Sequence, residues 1–161
     1  MIAIVDYGSG NLKAILNIYE LLNIEVIIAN NAAVLSKATK IILPGVGAFD
    51  DCMSRLNISG MRETLDRQVI DDQIPVLGVC VGMQMMACQS EEGQESGLCW
   101  FENSSVVKFE ESSLKHKPKF PHMGWNSVRP VQDHPILNQV NIKRGFYFLH
   151  SYHFNCQPEH S

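Results

Sequence analysis

Four short apolar runs constrain this chain more than any other feature: MIAIV at residues 1–5, EVIIAN at 25–30, KIILPGVG at 40–47 and IPVLGV at 74–79. Each lies beside a turn rich in Gly, Pro or Asn, and segments of helical spacing separate them. The runs are apolar throughout rather than alternating, so both faces of each strand need cover, as in a parallel sheet between helices. The expected fold is therefore α/β, a mostly parallel sheet flanked by helices. Its crossovers should be right-handed and its active groups should gather beyond the carboxyl ends of the strands.

Between the strands, LKAILNIYELL puts Leu12, Ile15, Leu16, Tyr19 and Leu22 on one helical side. AAVLSKA is a partial helix, and Asp50 to Ile70 reads as one or two amphipathic helices broken near Asn57–Gly60. After Cys80 the stretch GMQMMACQS predicts a helix with a methionine-rich core side, and SEEGQESG an exposed acidic loop. From Trp100 onward the period shortens. SVVKFE and SVRPV read as half-exposed strands and RGFYFLHSYHF as a strong one, a mixed, hairpin-containing extension of the same sheet within one domain spanning 1–161.

At 161 residues and 45% hydrophobic, the chain can build one real core. A net charge of -4 offers no general attraction to phosphate backbones or anionic lipid, which argues against nucleic acid as a partner. No apolar run reaches the roughly 18 residues of a membrane span, and the amino terminus lacks the basic leader and cleavage site of a signal peptide. Five cysteines, at 52, 80, 88, 99 and 156, form no close CxxC pair, so neither a disulfide scaffold nor a zinc knuckle is expected. A reducing, cytoplasmic location fits that set.

Three turns should meet on the active side. YGSGN opens like a dinucleotide fingerprint, but Lys13 stands where the third glycine belongs, so it reads as a tight turn that lets backbone approach a neighbouring loop or a partner. In LPGVGAF, Gly45 and Gly47 strip bulk from either side of Val46, whose backbone N–H could serve a developing oxyanion. In VCVGMQ a strand yields to a helix at Cys80. Such a corner lifts a nucleophile above the sheet, places the Val81 N–H beside it and lets the helix N-terminus favour thiolate. The other four cysteines read as inert. His150, His153 and Cys156 are three residues apart, a spacing that does not put all three on one strand face, and they would need a fourth ligand such as His122, so no metal is expected.

Taken together, DYGSGN, LPGVGAFD, PVLGVCVGMQMM, SEEG, KFPHMGWN and FYFLHSYHF resemble, in unchanged order, the glutaminase subunits of imidazole glycerol phosphate synthases, which are triad-type class I glutamine amidotransferases. The resemblance implies Cys80 as nucleophile, Val46 and Val81 as oxyanion donors, and Gln84, Glu92, Ser151 and Tyr152 as glutamine holders. It implies a (β/α)8-barrel synthase subunit as partner, met by Asn11 and by His122, Met123, Gly124, Trp125 and Asn126, with His150 facing pocket or partner. No cofactor is implied. A close relative in surface-sugar amination shares the design, and a noncatalytic binding or regulatory subunit is the other reading.

The family's base and orienting acid come from a distal F-H-P-E segment that these residues do not contain. CQPEHS holds a Pro-Glu pair, but Gln157 stands at the histidine position, so neither Glu159 nor His160 is assigned to a triad. The expectation is a chain lacking about 40 C-terminal residues of the family pattern, those that carry the general base a thiol nucleophile needs. A sheet edge left bare there would favour self-association.

Overall fold

The computed structural model describes residues 1–110, 120–131 and 133–157. Glu159, His160 and Lys119 of the KFPHMGWN motif lie outside the described residues. The chain divides into two compact units, residues 1–107 with the segment from Phe154 onward, and Lys108–His153.

The first unit opens as the apolar runs require. Strand β1 (Ile2–Val5), helix α1 (Leu12–Leu21), β2 (Val26–Ala29), α2 (Ala32–Leu35), β3 (Lys40–Gly45), α3 (Phe49–Ile58), α4 (Arg62–Asp66) with a π-helical turn at Arg67–Asp71, and β4 (Val76–Cys80) follow in order. All four strands are parallel, in the spatial order β2-β1-β3-β4. After β2 the chain crosses back over β1 to lay β3 on its other side, which makes the β1/β3 boundary the switch point of the sheet. Asn11 and Asn31 cap α1 and α2 through their side-chain oxygens, which accept from Ala14 N–H and Val34 N–H.

The core takes in both faces of β1 and β3: Ala3, Ile4 and Val5 and, beside them, Ile41, Ile42 and Leu43 are buried, as are Phe49, Met53, Leu56, Met61 and Leu65 along the α3–α4 segment. Cover is thinner elsewhere. Helix α1 buries no residue, and Leu22 is exposed at its end rather than on the packed side. On β4, Leu77 and Val79 are 47% and 39% exposed, so the edge strand is not sandwiched as its apolar sequence predicts.

Beyond β4 the structure departs from the sequence reading in several respects. Helix α5 is a single turn, Val81–Gln84, not a long methionine helix. The carbonyls of Met85, Met86 and Ala87 accept instead from the N–H groups of Leu98, Trp100 and Cys99, so a returning strand-like segment takes the bonds the next helical turn would use. Met85, Met86 and Ala87 are nonetheless buried, as core residues should be. The same return joins Cys88 and Cys99 in a disulfide, contrary to the expectation that both are unpaired.

The later strands also form sheets of their own instead of extending the first. Strands β5 (Gln89–Ser90), β6 (Ser105–Lys108) and β9 (Tyr152–Asn155) make one, and β7 (His122–Asn126) and β8 (Phe146–His150) another. RGFYFLHSYHF is thus two strands with a break at Ser151. The strand expected at SVRPV falls earlier, on HMGWN, because pairing with β8 runs out at Asn126 opposite Phe146.

Candidate active site

Cys80 ends β4 with φ 57° and ψ -123°, a backbone conformation outside the wells open to side-chain-bearing residues. Strain of this kind costs on the order of 1–3 kcal/mol and persists only where surroundings impose it. Here they do. A Cβ on Gly82 would collide with the Leu43 carbonyl, one on Gly45 with the Gly82 amide, and one on Gly78 with Met83 backbone. The three glycines let the corner drop against β3, so the chain can reverse within two residues and leave the thiol outside. Cys80 is exposed, and it stands opposite Gly45 in the β3/β4 register. The thiol is thus above the sheet and next to the Gly45–Gly47 loop. With only one turn in α5, the helix-dipole contribution expected at this thiol is correspondingly small.

The Gly45–Gly47 loop is held from the first turn. Gly10 adopts φ +98°, and a side chain there would stand 2.7 Å from Pro44 Cβ. The close backbone approach expected of YGSGN is therefore present, with Pro44 as its neighbour. Ser9 Oγ accepts the Val46 N–H at 3.1 Å and donates to the Val46 carbonyl at 3.0 Å, and the Cys52 thiol lies 3.3 Å from Ser9 Oγ. Beneath them the buried Tyr7 hydroxyl donates to the Pro44 carbonyl at 2.6 Å. Burial, reinforced by neighbouring Cys52, raises the Tyr7 phenol far above its ordinary range and keeps it a donor. The Val46 N–H assigned to an oxyanion is accordingly engaged by Ser9. An open depression of about 420 Å³ beside it is lined by Ser9, Asn11, Val46 and Arg55, and its lining does not include Cys80.

Glu92 is not a free solvated acid. Its carboxylate accepts the Phe49 N–H at 3.0 Å and so caps α3, whose own N-cap, Ala48, cannot. Asp50, one residue further into α3, accepts the N–H groups of Gln94 and Glu95, so the acidic loop is pinned to the helix start by charge-assisted bonds at both ends. Gln84 is half-buried at the end of α5.

The second unit carries the remaining expected residues. Alternation along β7 divides the proposed partner segment: Met123 and Trp125 are 60% and 63% exposed and sit opposite exposed Leu149 and Tyr147. His122 lies on the other side, where its ring stacks on Phe148 and bonds to His150. Gly124, at φ +128°, and Asn126 share that side by period. Arg144 reaches over the Trp125 ring at 5.7 Å. Ser151 and Tyr152 are half-buried at the corner between β8 and β9. Among the described residues no group of three or more His, Cys, Asp or Glu could hold a metal ion, and no helix is long and apolar enough to cross a membrane.

Sequence reasoning missed Ser9, Cys52 and Tyr7, because a serine between glycines and a core tyrosine carry no mark of the loop they hold. It also missed the His122–His150 bond, which depends on strand register.

Residues 3–160 match the family model for class-I glutamine amidotransferases. Imidazole glycerol phosphate synthase subunit HisH of Bdellovibrio bacteriovorus is 51% identical over 162 residues, covering 100% of this chain and 79% of the relative. The proteins of the same name from Leptospira interrogans and Methanocaldococcus jannaschii are 45% and 43% identical, over 99% and 96% of this chain and 78% and 74% of theirs. A solved structure described as a glutamine amidotransferase superposes with a TM-score of 0.58 at 17% identity, over 67% of this chain and 57% of its own, a likeness of fold.

Proposed function

Since the chain belongs to the class-I glutamine amidotransferase family, we propose that it is the glutaminase subunit of an imidazole glycerol phosphate synthase and supplies ammonia for histidine biosynthesis. The observation that carries this reading is the exposed Cys80 thiol at a strained corner, in register with Gly45. In the reaction the Cys80 sulfur attacks the side-chain amide carbon of glutamine, the C–N bond breaks with a proton delivered to the leaving ammonia, and water cleaves the resulting thioester to glutamate. Val81 and Val46 donate to the tetrahedral oxygen, and for Val46 this requires its N–H to exchange Ser9 Oγ for the oxyanion. Gln84, Glu92, Ser151 and Tyr152 hold the substrate. Glu92 is braced for this by the α3 N-terminus.

The ammonia acceptor is a (β/α)8-barrel synthase subunit, met by Asn11 and by the segment from His122 to Asn126. Its apolar anchors are Met123 and Trp125, large exposed side chains of the kind that dominate interfaces. A general base and its orienting acid complete the chemistry in this family, and no F-H-P-E stretch occurs in these 161 residues. A second reading is a subunit that binds glutamine and synthase without turning glutamine over. On either reading the 161-residue chain alone releases negligible glutamate.

Alkylation by a glutamine-derived chloroketone separates these readings from an unrelated role. The expected result is one adduct, on Cys80, slowed by L-glutamine and lost in Cys80→Ala, as read by peptide mass spectrometry. Labelling spread over Cys52 and Cys156, or indifferent to glutamine, removes the glutamine site altogether. Partner-stimulated glutamate release then distinguishes enzyme from binder.

A further inference from the structure

We infer that His150 and His122 are positioning residues that fix the Ser151–Tyr152 corner through a chain of hydrogen bonds with only one allowed set of proton positions; as a role in glutamine binding, this rests on the function proposed above. His150 Nδ1 lies 2.9 Å from the Tyr152 carbonyl. A carbonyl only accepts, so His150 carries its proton on Nδ1. In the neutral ring Nε2 is then an acceptor, and it faces His122 Nδ1 at 2.9 Å, so His122 is also protonated on Nδ1. His122 Nε2 is left as an acceptor toward Asn126 Nδ2 at 3.5 Å. The Asn126 amide is oriented to suit, because its oxygen takes the Ser127 N–H at 2.9 Å.

Each link dictates the next, and all belong to the second unit. Both rings are packed as well as bonded: His122 stacks on Phe148, and His150 meets Phe109 edge-on. The corner needs such a device. Strand β8 pairs with β7, and β9 belongs to a different sheet, so the chain must change partners within Ser151 alone. The Ser151 carbonyl takes the Phe109 N–H at a long 3.4 Å. The His150 ring closes the corner from inside by reaching across Ser151 to the Tyr152 carbonyl. His122 keeps that ring in the tautomer able to do so, much as the partner of a functional histidine sets which nitrogen is protonated.

The prediction is specific because the relay requires the Nδ1–H form of both rings, and it is tested on the 161-residue chain by long-range ¹H–¹⁵N correlation of the histidine rings at neutral pH. Wild type should give the Nδ1–H pattern for His122 and His150, assigned by their disappearance in His122→Asn and His150→Asn. His122→Phe keeps the stacking on Phe148 but removes the donor, so His150 should lose its single tautomer and L-glutamine affinity should fall roughly three- to tenfold, the effect of one hydrogen bond. His122→Asn retains an N–H near the Nδ1 position and should restore both. An Nε2–H or doubly protonated ring at either position in the folded wild type overturns the relay, as does a His122→Phe chain with unaltered His150 signals and affinity. Correct tautomers in a wild type that binds no glutamine would instead refute the glutamine site, and with it the positioning role.

Discussion

The two corners assigned to glutamine chemistry, at Cys80 and at Ser151, solve the same problem by opposite means. At Cys80 the chain leaves a strand under backbone strain, and exclusion fixes its shape: glycines at 45, 78 and 82 allow an approach that any side chain would block. At Ser151 the turn is tied by imidazole hydrogen bonds. A nucleophile must be held rigidly against a developing charge, so its corner is built into the packing of β3 and β4. A substrate-binding corner tolerates bonds that can be exchanged. The first should therefore be intolerant of added atoms, and the second sensitive to lost donors.

The largest effect expected from this contrast is at Gly82. An added methyl group meets the Leu43 carbonyl, which belongs to a central strand and cannot yield as a flexible side chain could. Gly82→Ala should destabilise the chain by about 3 kcal/mol in urea titration, through forced backbone displacement. A loss below about 1 kcal/mol would show that the corner can relax, and the distinction from Ser151 would weaken.

Next comes the strain itself. Cys80→Ala removes the thiol and keeps the φ 57° penalty, whereas Cys80→Gly removes both. The glycine variant should be the more stable of the two by about 1 kcal/mol, part of the relieved strain being offset by the entropy glycine loses on folding. Neither can form a thioester, so both should be equally inert toward the chloroketone. Equal stability of the two variants would mean that the unusual dihedrals carry no stored energy.

The same contrast explains what could be read without coordinates. The Cys80 corner was legible because steric devices are written in composition: a glycine on either side of a cysteine, after an apolar run, has few other uses. The β1 to β4 order followed from apolar runs of strand length in the same way. Hydrogen-bonded devices leave no comparable trace. Glu92 reads as one acid in a charged loop until α3 is found to lack a cap, and His122 and His150 become partners only when β7 and β8 are paired in register. The long helix expected after Cys80 failed for a related reason. Helical spacing in GMQMMACQS is genuine, but residues 97–100 compete for its carbonyls, and that competition is tertiary. The Cys88–Cys99 bond arises from the same return and was invisible for as long as the helix was assumed.

The smallest effect on folding should come from the outer face of the β7/β8 hairpin, where Trp125 meets Tyr147 in a T-shaped contact and lies under the Arg144 guanidinium. Those contacts are solvent-exposed, so Trp125→Ser should cost the chain about 0.5 kcal/mol or less. The same substitution deletes the largest exposed aromatic of the hairpin, and if this face seats the synthase it should weaken that complex at least tenfold, the minimum expected of an anchoring tryptophan. Melting and binding measured on one preparation separate the two roles. A variant that melts early and binds normally would make Trp125 a structural residue and move the partner surface elsewhere. The inner face, with His122 and His150, would then be left as the functional side of the hairpin.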